Sequence, residues 1–238
     1  MKRFIATLTL MMILGTCLCL PSAFADTTVD ETVAESATAY MEIEFECGCT
    51  RTGAGAMIAK NALVTASHNL VCMNHTKKVK SINFLFGYWG AGTAMYKYTG
   101  AFTYRYYEGF VNGFNSADDI GYVIFPENVG EKTGWFASKV CNDKTLKYKD
   151  TNFVGVLNDT VIYDYNQIDV YSDREITWKI SDQFKKSQEG GPAYWNYNGL
   201  KYPTVIGVYT SHSDTNGFAR RLTNQIINDM KKDGAKFN

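Results

Sequence analysis

Short apolar runs, each a few residues long and bounded by turn residues, recur along almost the whole chain. In Tyr40–Cys47, apolar Met41, Ile43 and Phe45 alternate with three glutamates, which is the pattern of a strand with one buried face. Two further runs flank Lys60-Asn61 and predict a hairpin. These two and the other predicted strands are Ala56–Ala59, Ala62–Ala66, Val79–Phe86, Ile120–Phe125, Asn152–Leu157, Glu175–Ile180, Ala193–Asn196 and Thr204–Tyr209.

Helix signals are scarce by comparison. One apolar stripe at helical spacing lies near the C terminus and consists of Leu222, Ile226, Ile227 and Met230, with Thr223 as an N-cap. It predicts a helix over residues 222–232. Many strands, regular turns and one terminal helix indicate an all-β sandwich or barrel, built as one domain or as two small subdomains.

The first residues are typical of an export signal. Lys2 and Arg3 precede a mostly apolar run, and Ala23-Phe24-Ala25 is a small-x-small cleavage site. We therefore predict a signal peptide over residues 1–25 and a secreted, extracellular protein. A membrane anchor is disfavoured because the apolar run is short for a bilayer span.

Two other interpretations concern this end of the chain. Lipidation of Cys17 is disfavoured because Thr16 fits poorly before a lipidated cysteine. Residues 26–38 are rich in Thr, Glu, Ala and Ser without an apolar period, and we expect a flexible N-terminus or a propeptide there.

The charges balance: Lys+Arg and Asp+Glu both number 24. Nothing in this balance favours a nucleic acid or an anionic membrane surface as a partner. We expect neither partner after the signal is removed.

Four cysteines follow the signal: Cys47, Cys49, Cys72 and Cys141. An even number in an exported chain favours one or two disulfides, whose pairing the sequence leaves open. Cys47-x-Cys49 with Cys72-x-x-His75 could instead ligate a structural zinc ion, although zinc modules usually place two to four residues between the first two ligands. The primary expectation is disulfides, with no metal and no cofactor.

Three segments carry residues of catalytic types. Ala54-Gly55-Ala56 opens a strand hairpin that ends in Thr65-Ala66-Ser67-His68, so that a potential general base stands at a rigid strand end. Asp118-Asp119-Ile120-Gly121 begins a later apolar strand. Ser187-Gln188-Glu189-Gly190-Gly191-Pro192 is a glycine-containing loop before another strand.

In this order the three segments resemble the motifs T-A-A-H, D-[IL]-A-[LIV] and G-D-S-G-G-P of the chymotrypsin-like (trypsin-like) serine peptidases. The bacterial V8-like glutamyl endopeptidases are the most similar branch, because Asn128-Val129-Gly130 and Thr133-Gly134-Trp135-Phe136 resemble two non-catalytic segments of that branch. The resemblance runs from about Met41 to Met230.

The resemblance implies two six-stranded antiparallel β-barrels, over roughly 39–135 and 136–221, followed by the C-terminal helix. It implies that His68 is the general base and that Asp119 orients its imidazole. Glu189 falls at the position of the nucleophilic serine, and Ser187 and Gln188 replace the Gly and Asp before it. The region of Ser187, Gln188 and Glu189 corresponds to the oxyanion hole.

Glu189 makes hydrolysis doubtful, since a carboxylate has no proton for a base to remove at neutral pH and brings negative charge to the oxyanion site. Ser187 is an alternative nucleophile, but lies two residues early. We also expect Glu189 to form an ion pair with His68 if the family geometry is retained.

Tyr209 stands where glutamyl endopeptidases have a substrate-binding histidine, and His212 follows three residues later, so a preference for glutamate is not supported. The resemblance implies a specificity pocket at these two residues.

Three functions remain open. The chain is an impaired or altered secreted endopeptidase, a pseudopeptidase that binds peptides or a partner protein, or an exported structural protein that kept the fold. In the first two cases we expect a monomer that meets a protein or peptide.

Overall fold

Two β-sheets, antiparallel except for one short strand, form the framework of the described residues. The computed structural model describes residues 33–88, 93–113, 115–157, 160–196 and 202–237. The signal peptide predicted for residues 1–25 lies outside these residues. None of the helices in the described ranges is long and apolar enough to cross a membrane.

The first sheet has seven strands in the order β5-β4-β1-β2-β3-β7-β6. They are β1 Thr38–Phe45, β2 Thr50–Ala59, β3 Ala62–Thr65, β4 Val79–Phe86, β5 Tyr96–Tyr98, β6 Thr103–Tyr106 and β7 Gly121–Ile124. In the second sheet, seven strands follow the order β10-β9-β13-β14-β15-β12-β11, and β8 lies parallel to β14. Its strands are β8 Ala137–Ser138, β9 Asp150–Leu157, β10 Thr160–Gln167, β11 Asp169–Val170, β12 Glu175–Lys179, β13 Pro192–Trp195, β14 Thr204–His212 and β15 Asn216–Arg221.

The helices of the described residues are short. Besides a helical turn at residues 33–36, they are α1 Glu108–Gly113, α2 Gly130–Thr133, α3 Asp143–Leu146 and α4 Asn224–Lys232, with 3-10 turns at Ser67–Asn69, Ser116–Asp118 and Phe184–Lys186. The Thr223 hydroxyl caps α4 by accepting the Ile226 N–H at 3.3 Å, and Ile226 and Met230 are buried. The predicted C-terminal helix and its cap are therefore confirmed.

The predicted all-β fold of two curled antiparallel sheets is confirmed. The strand numbers exceed six per sheet because three short strands are added: β5 of three residues, and β8 and β11 of two each. β5 and β11 lie at sheet edges, where pairing on one side suffices to define a strand.

The hairpin predicted across Lys60-Asn61 joins β2 and β3, with Ala59 paired to Ala62. The Asn61 amide holds this turn against the C-terminal segment, since it donates to Gly234 O at 3.1 Å and accepts the Lys236 N–H at 2.7 Å. The side chain of the turn thus joins the first sheet to the chain that follows α4.

The alternation of apolar and glutamate residues in β1 corresponds to alternating burial and exposure, as predicted. Met41, Ile43 and Phe45 are almost completely buried in the first core cluster, and Glu42 is exposed. The same cluster contains Val154 and Val208 of the second sheet, so apolar side chains of both sheets share one core.

The N-terminal side of β1 differs from the sequence expectation. Residues 33–36 form a helical turn, Ala34 and Ala37 are fully buried, and the Thr38 hydroxyl donates to Ala34 O at 2.7 Å. The part of the expected flexible stretch that the structure describes, 33–38, packs on the first sheet because small alanines fit there without a long apolar period.

Candidate active site

The pairing of β3 with β7 brings His68 and Asp119 together. Thr65 at the end of β3 lies opposite Gly121 at the start of β7. His68 is three residues beyond Thr65 and Asp119 is two residues before Gly121, so both fall at the same edge of the sheet. Side chains distant in sequence become neighbours through antiparallel register alone.

His68 and Asp119 make two hydrogen bonds. His68 Nδ1 lies 2.8 Å from Asp119 Oδ2, and the His68 backbone N–H donates to Asp119 Oδ1 at 3.1 Å. Both residues are buried. The carboxylate therefore fixes the orientation of the imidazole and holds the proton on Nδ1, which leaves Nε2 as the basic atom.

The structure explains why two small residues, Ser67 and Gly121, stand near this pair. The Ser67 hydroxyl lies 2.8 Å from Ile120 O and 3.1 Å from Asp118 O, so it ties the His68 turn to the Asp119 segment. At Gly121, a Cβ would lie 2.6 Å from Leu70 Cδ1 and 2.8 Å from Arg105 O. Glycine replaces the family alanine because the space is closed.

The other imidazole nitrogen is unpaired. His68 Nε2 is buried and has no hydrogen-bond partner among the described residues. Neither the hydroxyl of Ser187 nor the carboxylate of Glu189 bonds to it. A base that could accept a proton is in place, and the donor of that proton is missing.

The Glu189 carboxylate faces a different cation. Its Oε2 lies 3.9 Å from Nη2 of Arg51, whose Nη1 donates to His68 O at 3.2 Å. The expected ion pair of Glu189 with His68 is therefore wrong for this structure. The guanidinium is charged at every physiological pH, whereas imidazole is charged only when protonated, so Arg51 is the stronger competitor.

Ser187 points away from His68. Its hydroxyl donates to Phe184 O at 2.7 Å, and the side chain packs on Gly155, where a Cβ would overlap Ser187 Oγ. The hypothesis that Ser187 is a displaced nucleophile is contradicted by this geometry. The Ser187 hydroxyl bonds to a carbonyl of the preceding 3-10 turn and not to the His68 imidazole.

The backbone of the loop is bonded within the protein. The N–H of Ser187 donates to Phe184 O at 2.9 Å, and that of Gln188 donates to Val156 O at 2.7 Å. An oxyanion hole requires N–H groups directed at the position where negative charge develops. The resemblance places the two donors at the amides of Ser187 and Glu189, and the Ser187 amide is directed at a carbonyl instead.

The glycines of the loop serve its packing. Gly190 has φ +104°, and a Cβ there would overlap Ala54 O, while a Cβ on Gly191 would overlap Val154 O. Glu189 O accepts the Ala54 N–H at 2.8 Å and Asn69 Nδ2 at 3.1 Å. The loop is thus clamped between the two sheets at the nucleophile position.

Tyr209 does not line an open pocket. Its side chain is fully buried, and the ring centroids of Trp178 and Phe184 lie 5.7 and 5.0 Å away. Its hydroxyl lies 3.1 Å from Nδ1 of exposed His212. Burial, and then the nearby charge of Glu189, raise the pKa of Tyr209. The expected specificity pocket at Tyr209 and His212 is filled by aromatic rings.

The described cysteines are free thiols in the structure, and no disulfide joins Cys47, Cys49, Cys72 or Cys141. Cys141 belongs to the second core cluster, whereas Cys72 belongs to the first. His75 lies beside the first three cysteines.

Two residues of the site were missed by the sequence reasoning. Arg51 partners Glu189, and Asn69 bonds the loop backbone. The position of Asn69 directly after His68 was the only available signal. Burial lowers the pKa of the Arg51 guanidinium, and Glu189 acts in the opposite direction.

Two curled antiparallel sheets, with a buried His–Asp pair at one edge of the first sheet, are the arrangement of the chymotrypsin-like fold. The known structures agree. A Glu endopeptidase solved with MPD superposes with a TM-score of 0.68 at 14% identity, covering 84% of this chain and 90% of its own. The protease Anisep from Arthrobacter nicotinovorans gives 0.66 at 11%, covering 84% and 96%, and HL collagenase gives 0.68 at 16%, covering 87% and 96%.

The structural neighbours are therefore chymotrypsin-like serine proteases, including a glutamyl endopeptidase, at low sequence identity. No protein-family model and no curated protein sequence matches the chain. At such identities the likeness establishes the fold.

Proposed function

We propose that this chain is an exported homologue of the chymotrypsin-like serine peptidases that has lost efficient peptide-bond hydrolysis. The observation that carries the proposal is His68 Nε2, a correctly oriented base with no hydroxyl beside it. The nucleophile position holds Glu189, whose carboxylate faces Arg51. Loss of the nucleophile in a serine protease lowers turnover by about a million-fold.

The loop backbone supports the same conclusion. Because the Ser187 amide donates to Phe184 O, restoring a hydroxyl at residue 189 alone would leave the oxyanion without that donor. Loss of one such donor lowers kcat by about 100- to 1000-fold. The impairment therefore has two separate causes.

Hydrolysis of casein by the full chain tests the proposal, with Glu189→Ser as the informative variant. We expect no turnover by the parent chain. From a typical kcat of about 10 per second and the missing donor, Glu189→Ser should stay below about 0.1 per second. Parent turnover that is lost in His68→Ala would overturn the proposal.

Binding of peptides without cleavage is the second candidate. Beside His68 lies a cleft of about 320 Å³ lined also by Arg51, Asn74 and Gln188. The half-buried Arg51 guanidinium and the Gln188 side chain offer polar contacts there, and the backbone of a bound peptide carries acceptors and donors at regular intervals. An adhesive or structural role would need no such cleft.

Fluorescence anisotropy with a library of labelled peptides separates binding from a purely structural role. We expect saturable binding that weakens in Gln188→Ala and survives in Asn112→Ala, since Asn112 is exposed on α1. Equal binding by both variants would place any peptide site elsewhere.

A further inference from the structure

Three cysteines and one histidine converge beside the cleft. Their ligand atoms, one each from Cys47, Cys49, Cys72 and His75, all lie within 4.8 Å of one another. No step of the proposed function uses them. Cys47 and Cys49 come from the turn between β1 and β2, and Cys72 and His75 from the segment after the His68 turn.

The separations fit a tetrahedral metal centre. Typical Zn–S and Zn–N bonds of about 2.3 and 2.05 Å at tetrahedral angles place a sulfur and a nitrogen about 3.6 Å apart, and two sulfurs about 3.8 Å apart. His75 Nδ1 lies 3.4 Å from Cys49 Sγ and 3.6 Å from Cys72 Sγ. These two distances match a zinc centre, and the remaining ligand atoms lie within 4.8 Å of one another, close enough for one ion to draw them together.

The backbone explains how a single residue can separate the first two ligands. Gly48 has φ +80°, a left-handed conformation that reverses the chain between Cys47 and Cys49. Its N–H donates to Phe45 O at 2.9 Å, and the Phe45 N–H donates to Cys49 O at 2.9 Å. The unusual spacing is accommodated by this tight turn.

The second pair is held by its own loop. The Thr76 N–H donates to Cys72 O at 2.7 Å, and the Cys72 N–H donates to Lys77 O at 2.7 Å. These bonds bring His75 back over Cys72. Each loop therefore presents two ligands, and an ion between them would join the loops.

We propose that Cys47, Cys49, Cys72 and His75 form a structural Zn²⁺ site. Three thiolates and one imidazole are a complete ligand set for structural zinc, with no open position. A disulfide between any two of the cysteines would leave the third thiol and His75 without a role. The sequence expectation of no metal is replaced by this proposal.

The site would stabilise the wall of the cleft. Cys72 lies four residues after His68, and Cys49 lies two residues before Arg51, which bonds His68 O. Cys49 and Cys72 themselves line the cleft beside His68. An ion that fixes both loops would therefore hold the segments that carry His68 and Arg51 in place. This effect does not depend on whether the chain hydrolyses peptides.

Zinc content of the full chain, purified without chelator, tests the proposal. We expect one zinc per chain, and a thiolate-to-cobalt absorption band with tetrahedral ligand-field bands when Co²⁺ is added to the metal-free protein. Cys49→Ser and His75→Ala should each bind at least roughly tenfold more weakly. His75 is exposed, so its variant should fold even if the cysteine variant does not.

Cys141→Ser and His212→Ala are the matched controls, because both residues lie outside the cluster. They should retain one zinc and the cobalt spectrum. Equal zinc affinity of the parent and of His75→Ala, measured by competition with a chromogenic chelator, would overturn the proposal. Peptide mapping that finds a disulfide within Cys47, Cys49 and Cys72 in the chain as purified without chelator would also overturn it. Neither readout depends on hydrolysis.

Discussion

Replacement of Gly190 by alanine should strongly destabilise the nucleophile loop. Its φ of +104° lies in a region that side chains disfavour by about 1–3 kcal/mol. An added Cβ would overlap Ala54 O and lie 2.6 Å from Thr65 Oγ1. Overpacking of this kind costs about 1–3 kcal/mol. The two contributions together predict a loss of about 2–6 kcal/mol in the free energy of unfolding.

Gly234 separates the two contributions. Its φ is +99°, nearly that of Gly190, but a Cβ there would have no heavy atom within 4 Å. Gly234→Ala should therefore lose only the conformational part, about 1–3 kcal/mol. Gly113→Ala, with open space and no positive φ, should change stability little.

Urea unfolding followed by tryptophan fluorescence measures these differences. In thermal unfolding of a chain of this size, a loss of about 4 kcal/mol corresponds to a fall of about 8–16 °C in Tm. If Gly190→Ala were no less stable than Gly234→Ala, the loop would not lie against Ala54. The description of a clamped loop would then be refuted.

Three further predictions concern the framework. Asn69→Ala removes hydrogen bonds to Thr65 Oγ1 and Glu189 O and should cost about 2 kcal/mol in urea unfolding, with exposed Asn112→Ala nearly neutral. A neutral Asn69→Ala would contradict the contact between Asn69 and the nucleophile loop. Thr223→Ala should cost about 1 kcal/mol by removing the α4 cap, whereas Thr223→Ser should keep most of it; equal losses in both would argue against capping. Burial and the hydrogen bond to Asp233 raise the pKa of Tyr122 above its usual 10.0, so its stabilising effect is present below pH 10 and is lost as pH rises above it. Alkaline titration of Tyr122→Phe should show a smaller loss of stability above pH 10 than the parent chain, and identical curves would contradict this.

Strands with one apolar face could be predicted from the sequence. β4 spans Val79–Phe86, as the pattern predicts, and β1 and β9 begin two residues earlier than expected. β10 was missed because its most buried position holds Asp164, where an apolar residue would reveal the period. Trp178 Nε1 donates to Asp164 Oδ2 at 3.0 Å, so a distant partner makes this burial tolerable.

The candidate site could be predicted only in part from the sequence. His68 and Asp119 stand in recognisable local contexts, and the structure joins them. The partner of Glu189 was not predictable, because Arg51 reaches it only through the packing of the first sheet against the second. Likewise, the sequence spacing of Cys47 and Cys49 disfavours zinc, because the left-handed conformation of Gly48 that brings the two thiols together is not visible in the sequence.

Among the described residues, no nucleophile lies within hydrogen-bond distance of the His68 imidazole. The mass of the intact protein after incubation with a fluorophosphonate measures this most directly, because such probes phosphonylate only a hydroxyl that an adjacent base activates. We predict an unchanged mass for the parent chain. A single adduct that maps to Ser187 and disappears in His68→Ala would contradict the account.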